Sequence, residues 1–203
     1  MSFFTRKREE LVKAGIDPDR IPPGQYHTDR FPVLHAGVVP NVDLATWDFT
    51  IDGLVAEEKA WSWDDFRSMP AAPLTADIHC VTKWSKFDSE WQGVSVDDLL
   101  AAAGVEVSQP YLLVTCETGY TTNLPVEDVV DGRAMVAHTY GGEPLDPEHG
   151  GPARLLVPHL YFWKSAKWVR GLQGMDDDGP GFWEGYGYHM RGDPWLEQRY
   201  RGD

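Results

Sequence analysis

A chain of 203 residues, 42% apolar and 12% aromatic, carries enough apolar material for one hydrophobic core, and we read a single domain over 1–203 with an arm over 1–25 and an aromatic tail over 176–203. A formal net charge of −14 speaks against an extended nucleic-acid surface, because phosphate binding relies on clustered Lys and Arg. Two cysteines make no disulfide framework, and neither a secretory run nor a stretch approaching the roughly 20 apolar residues of a membrane span is present, so a cytoplasmic protein without a membrane span is expected.

Along the chain, the polar stretch "TRKREELVKAG" reads as a helix stopped by Gly15. "DPDRIPPGQYHTDRFPVLHAGVVP" follows with five prolines and no clear period; the apolar residues spread through it predict an arm that lies over a core or lines a pocket. In "WDFTIDGLV", Trp47, Phe49 and Ile51 alternate ahead of an Asp-Gly turn, which predicts a strand. Ser62 with Asp65 forms a capping pattern for a short helix that ends before Pro70. "LTADIHCV" reads as a second strand, and "GVSVDDLLAAAG" repeats the cap with Ser95 and Asp98 before Gly104 closes the helix. "YLLVTCETGYTTNLP" reads as strand, turn and strand, and "PVEDVVDG" as a brief helix. "RAMVAHTYGGEPL", "ARLLVP" and "KWVRGLQGM" supply further strands. Strands and short helices mix without βα regularity, so the expected class is α+β with mixed or antiparallel sheets. The tail "GFWEGYGYHMRGDPWLEQRY" is expected to fold back onto the domain.

Chemistry is suggested at two places. Between His149 and Met175 there is no Asp or Glu, where the chain's average acid content would place about four. His149, Arg154, His159, Lys164, Lys167 and Arg170 stand in this window beside glycines, a composition that suits either a phosphate-bearing organic cofactor or pairing with surface acids. The second place is Cys80, at the end of a strand with Lys83 three residues on: a small buried hydrophobe, or a thiol with its pKa lowered by a cation. A Cys/His hydrolase fits poorly because His79 points to the opposite face, and a structural zinc site fits poorly without a C-x-x-C. Cys116 is expected to pack inside a sheet.

"IHCVTKWSKFDSEWQGVSVDDLL" resembles the signature of the sulfite oxidase-like, molybdopterin-dependent oxidoreductases: a cysteine, a tryptophan-serine pair, W-x-G-V and a Leu-Leu helix. "HGGPARLLVPHLYFWKSAKWVRGL" resembles the second signature of that family, His-Gly-x-Pro-x-Arg followed by Ser-x-Lys-Trp, and the likeness spans about residues 26 to 175. It implies the sulfite oxidase-type molybdopterin-binding catalytic core, an α+β fold of mixed sheets and short helices. It also implies a molybdenum-molybdopterin cofactor, with molybdenum or tungsten as the metal; a haem is not expected, since no C-x-x-C-H occurs. By the same resemblance Cys80 is the thiolate ligand of the metal, anchoring and tuning it while an oxo group passes to or from substrate. Thr115 takes the polar position near the metal, and His149, Arg154, Ser165, Ala166 and Lys167 hold the pterin and its phosphate. "RFPVLHAGVVP" is similar to the family's cofactor loop, whose polar residue falls on His35, with Arg30 and Phe31 beside it. Lys83 is read either as a catalytic residue facing substrate or as a solvated strand-end lysine; Trp84, Trp91, Trp163 and Trp168 either wall the cavity or pack the core, and Tyr188 and His189 are candidates to cap it.

Val33 and Leu34 stand where the eukaryotic sulfite oxidases place an arginine, so a neutral S-oxide or N-oxide competes with sulfite as the expected small-molecule substrate. Electrons would pass to or from an unidentified electron-transfer partner. Two other readings stay open: a non-enzymatic molybdopterin-binding or carrier module, and a thiol-redox protein using Cys80 and Cys116.

Overall fold

The computed structural model describes residues 9–104 and 110–203. The alternation of Phe49 and Ile51 produces β2 (Asp48–Gly53), which buries both and anchors a five-stranded mixed sheet. Its order is β3 (Lys59–Ser62), β2, β11 (Val169–Met175), β6 (Tyr111–Cys116), β7 (Thr121–Pro125); only the β2–β11 pair is parallel.

The spine of the other, six-stranded sheet is β5 (Trp84–Ser95). β4 (Ala72–His79) runs antiparallel to it throughout. The first two residues of β5 also pair in parallel with β1 (Tyr26–His27), and the last five residues of β5 pair with β8 (Met135–Tyr140). Beyond β8 lie β9 (Glu143–Pro144) and β10 (Arg154–Leu156). At Gly93 a Cβ would fall 2.3 Å from the Val136 carbonyl oxygen, so only glycine lets β5 and β8 approach this closely. The mixed sheets with short helices agree with the α+β class. The strands β1, β3 and β5 are additions to those read from the sequence.

Residues 9–13 are helical (α1) and stop before Gly15; the part of the expected helix before residue 9 lies outside the described residues. Both predicted caps form: the Ser62 hydroxyl accepts the Asp65 N–H at the start of α2 (Trp63–Ser68), and Ser95 accepts the Asp98 N–H at the start of α3 (Val96–Ala103). Among the described residues no helix is long and apolar enough to cross a membrane.

Because β8 and β10 are buried on both faces, their alternation feeds two cores. Val136 and Leu155 join Phe49, Val114, Leu172 and Leu99 in the larger one, while Met135, Ala137 and Leu156 join Cys80, Trp84, Trp91 and Phe162 in the other. Cys116 sits in the larger core, as its strand position suggests.

The tail returns to the body, as expected. Helix α4 (Phe182–Gly185) brings in Glu184, whose carboxylate accepts from Thr122 Oγ1 and Trp163 Nε1 at 2.8 Å and meets Lys164 Nζ at 2.7 Å, with both charged side chains fully buried. Farther on, Arg191 donates two hydrogen bonds to the buried Asp128, which also receives His159. Burial opposes ionisation of Asp128, but the hydrogen bonds from His159 and Arg191 outweigh it and take the pKa from 3.8 down to about 2. A carboxyl depressed in the folded state stabilises it above the unfolded pKa, and that contribution disappears as pH falls through the folded value. The shift corresponds to about 2 kcal/mol. Asp128→Asn should lose that much at neutral pH, and in urea titrations its stability should vary less than the parent's between about pH 4 and about pH 2.

Candidate cofactor and active site

Cys80 follows the last residue of β4 and opens the turn into β5. Its N–H donates to the Trp84 carbonyl and its own carbonyl accepts from Lys83 N–H, each at 2.9 Å. The turn leaves Cys80 8% exposed at the wall of a cavity of about 320 Å³. Thr82 Oγ1 donates to Sγ at 3.1 Å. Burial raises the thiol pKa; the Thr82 hydroxyl, the peptide N–H groups of Thr82 and Val81, and Lys167 pull the other way. The free thiol is therefore protonated, while a sulfur made anionic by metal binding finds donors and a cation already arranged around it.

Five separate segments converge on this cavity. Cys80, Thr82 and Trp84 come from the β4–β5 turn; Phe31, Leu34 and His35 come from the arm. Arg154, Trp163, Ser165, Ala166, Lys167 and Trp168 come from the acid-free segment, Thr118 and Tyr120 from the turn between β6 and β7, and Trp183 and Tyr188 from the tail.

The electrostatics of the acid-free side are one-signed. Arg154 is 1% exposed, packed with its guanidinium 4.2 Å from the Phe162 ring centroid. Its Nη1 donates to the His149 carbonyl at 2.7 Å and its Nη2 to the Ser165 carbonyl at 2.5 Å, while Nε has no partner. Lys167 Nζ reaches only the Glu148 carbonyl, at 2.5 Å. Among the described residues no carboxylate lies within 4.0 Å of either cation. Burial brings the Arg154 pKa down to about 9; burial, then Arg154, brings that of Lys167 down to about 8. Holding desolvated cations without counter-charge is unfavourable, and an anionic ligand such as a phosphate relieves it.

His149 stands one layer behind the lining, its imidazole stacked on Phe31 with centroids 3.9 Å apart and its buried Nδ1 without a partner. Among the described residues no cluster of three or more His, Cys, Asp or Glu forms a metal site, so a metal at Cys80 needs donors carried in by its own organic ligand. A soft sulfur donor, two cations without a carboxylate partner and the orphaned Arg154 Nε around one cavity fit a phosphate-bearing metal–pterin.

Of the residues singled out in the sequence, Cys80, Phe31, His35, Arg154, Ser165, Ala166 and Lys167 share the cavity, as do Trp84, Trp163, Trp168 and Tyr188. Others do not. Lys83 is exposed and off the cavity, because the turn holds it at φ 77 and directs the chain onward into β5. Thr115 lies across β6 from the cavity: the period of two sends Cys116 inward and sets the Thr115 hydroxyl over Gly171. Arg30 is exposed at the rim loop and does not line the cavity. Trp91 lies in the core behind, and His189 Nδ1 accepts the N–H groups of Arg191 and Gly192 within its own turn. Lys164, grouped with the cofactor cations by its sequence window, is committed to Glu184. Thr82, Thr118, Tyr120 and Trp183 are cavity residues the sequence reading missed; only Thr82, two residues after the thiol, carried a signal.

Residues 35–183 match the family described as oxidoreductase molybdopterin binding domain. The chain is 48% identical over 185 residues to "Uncharacterized oxidoreductase YuiH" of Bacillus subtilis (strain 168), covering 91% of this chain and 93% of that protein. It is 26% identical over 154 residues to "Putative protein-methionine-sulfoxide reductase subunit YedZ1" of Azospira oryzae (strain ATCC BAA-33 / DSM 13638 / PS), covering 76% of this chain and 58% of that one. Among solved structures, the sulfane dehydrogenase SoxCD from Paracoccus pantotrophus is similar with a TM-score of 0.62 and 27% identity, over 68% of this chain and 40% of that one. The chain thus spans nearly all of YuiH and less than two thirds of the other two.

Proposed function

The chain belongs to the oxidoreductase molybdopterin-binding domain family and is a sulfite oxidase-like molybdopterin oxidoreductase; from that membership we propose that it moves an oxygen atom to or from a small S- or N-oxide type substrate, with Cys80 as the protein's ligand to molybdenum. The observation that carries this reading is the convergence on a single cavity of one donor-surrounded sulfur, the buried Arg154 and the half-buried Lys167, neither cation facing a carboxylate. When bound, the metal–pterin supplies the oxygen-atom and electron chemistry, and the protein supplies binding and orientation. Cys80 anchors the metal, and the Thr82 hydroxyl steadies the sulfur. Arg154 and Lys167 hold the phosphate. Ser165 acts indirectly: its Oγ accepts the Val157 N–H at 2.9 Å, which fixes the carbonyl that orients Arg154. Ala166 leaves room beside them, and His35 stands at the rim.

A sulfur-centred substrate is supported by two relatives whose names place their activity on sulfur: a protein-methionine-sulfoxide reductase subunit and a sulfane dehydrogenase. The word subunit in the first also supports a separate electron-transfer partner for this chain. The test is to express the protein with molybdate, measure molybdenum, tungsten and pterin per chain, and assay the holoenzyme with a reduced viologen dye and a set of S- and N-oxides. Near-stoichiometric molybdenum and pterin with dye oxidation by an S-oxide is the expected result. Loaded protein without turnover of any oxide or of sulfite would make it a carrier module, and protein that takes up no pterin would end both readings.

A further inference from the structure

The part of the cavity built by the tail differs from the cofactor-holding part in one respect: it is aromatic and carries no cation. Glu184 is locked beneath it by Thr122, Trp163 and Lys164, and this fixes the neighbouring Trp183 against the body. Trp183 stacks on Tyr188 with centroids 5.1 Å apart at 21°, and Tyr188 meets Trp163 edge-on at 5.0 Å and 81°. The return of the tail over Trp163 is tight: a Cβ at Gly192 would lie 2.7 Å from that ring, and the Gly192 carbonyl accepts the Tyr161 N–H at 2.7 Å. These rings are therefore held as a fixed surface.

Most of the polar atoms of this wall are already used. Tyr120 OH donates to the Trp163 carbonyl and Trp163 Nε1 to Glu184, both at 2.8 Å. Of the tail's arginines, Arg191 and Arg199 are paired with Asp128 and Glu197, and Arg201, exposed and off the cavity lining, reaches the Glu184 carbonyl at 3.5 Å. Among the described residues neither Tyr188 OH nor Trp183 Nε1 makes a hydrogen bond to the protein, so the wall offers ring faces and two neutral donors, a hydroxyl and an indole N–H. An oxyanion entering here would meet no free cation, since Arg154 and Lys167 serve the cofactor phosphate on the reading given above. A polarised but uncharged S=O group suits it: sulfur and its substituents pack on the rings, and the oxygen accepts from the phenol.

Resting on the proposed oxygen-transfer reading, we propose that the C-terminal tail forms the specificity wall of the site, where Trp183 and Tyr188 select an uncharged sulfoxide over an oxyanion. The oxidised, cofactor-loaded protein titrated by calorimetry with methyl phenyl sulfoxide and with sulfate tests this without turnover. The sulfoxide should bind at least about ten-fold more tightly than sulfate. Trp183→Ala should weaken the sulfoxide about ten-fold or more and Tyr188→Phe several-fold, with pterin per chain unchanged. Should Trp183→Ala fail to fold, Trp183→Phe and Tyr188→Phe decide the matter. Sulfate binding as tightly as the sulfoxide, or sulfoxide affinity indifferent to the variants in loaded protein, would overturn the wall. If S-oxides turn over with affinities untouched by the variants, the wall fails and the reaction stands; if binding depends on the wall but no oxide turns over, the reaction fails and the wall stands.

Discussion

Replacing Cys80 by serine should lower turnover of the loaded enzyme by on the order of 10³-fold, equivalent to about 4 kcal/mol of activation barrier. A thiolate is a soft donor matched to this metal, whereas a serine oxygen is hard and gives up its proton to a metal less readily than a thiol does. The surroundings sharpen the difference, because the Thr82 hydroxyl and the Val81 and Thr82 N–H groups are set for a sulfur that carries charge. The fold should survive: the exchange is nearly isosteric and the side chain borders a cavity, so about 1 kcal/mol of stability is at stake. The checks are steady-state dye assays and the visible thiolate-to-metal absorption, which should vanish together while the circular dichroism spectrum is unchanged. Activity within a few-fold of the parent would remove Cys80 from the metal.

Arg154→Met should separate cofactor retention from stability. In the cofactor-free protein two effects oppose each other: the substitution abandons charge-assisted hydrogen bonds to the His149 and Ser165 carbonyls, about 1.5–3 kcal/mol each, and it removes a desolvated cation whose burial costs several kcal/mol. The net change should be no more than about 2 kcal/mol, read by urea unfolding. Retention has no such compensation. Losing one partner of a buried charge-paired contact costs about 2–5 kcal/mol, roughly 30-fold to several thousand-fold in affinity. Purified Arg154→Met should thus carry little pterin while unfolding much like the cofactor-free parent. Full pterin occupancy would mean that the phosphate is held elsewhere.

The parts of the fold legible in the sequence are those governed by local chemistry. Ser62 and Ser95 cap their helices as their spacing to Asp65 and Asp98 indicates, and Phe49 and Ile51 bury alternately in β2. The spine β5 was not legible because buried Ser85 and Ser89 and the charges of Lys86 and Glu90 break the apolar alternation, and a register shift at Gln92 and Gly93 breaks it again. In the site, Cys80 and the acid-free segment stood out because a motif and a charge gap mark them. Of the two readings of Lys83 the exposed one holds, at a positive φ invisible in sequence, and Thr115 misled because strand parity gave the cavity to the following turn, where Thr118 lines it. Which of the window's cations pairs with an acid was open for a tertiary reason: the carboxylate partner of Lys164, Glu184, arrives from the tail, 20 residues downstream. Long-range pairing of this kind has no local signature.

The bond between the Cys80 sulfur and the metal is tested most directly by X-ray absorption at the molybdenum edge, comparing loaded wild-type protein with loaded Cys80→Ser. The fit should lose one sulfur scatterer and acquire a lighter donor or none in the variant. An unchanged sulfur shell in the two proteins would show that the metal never depended on this thiol.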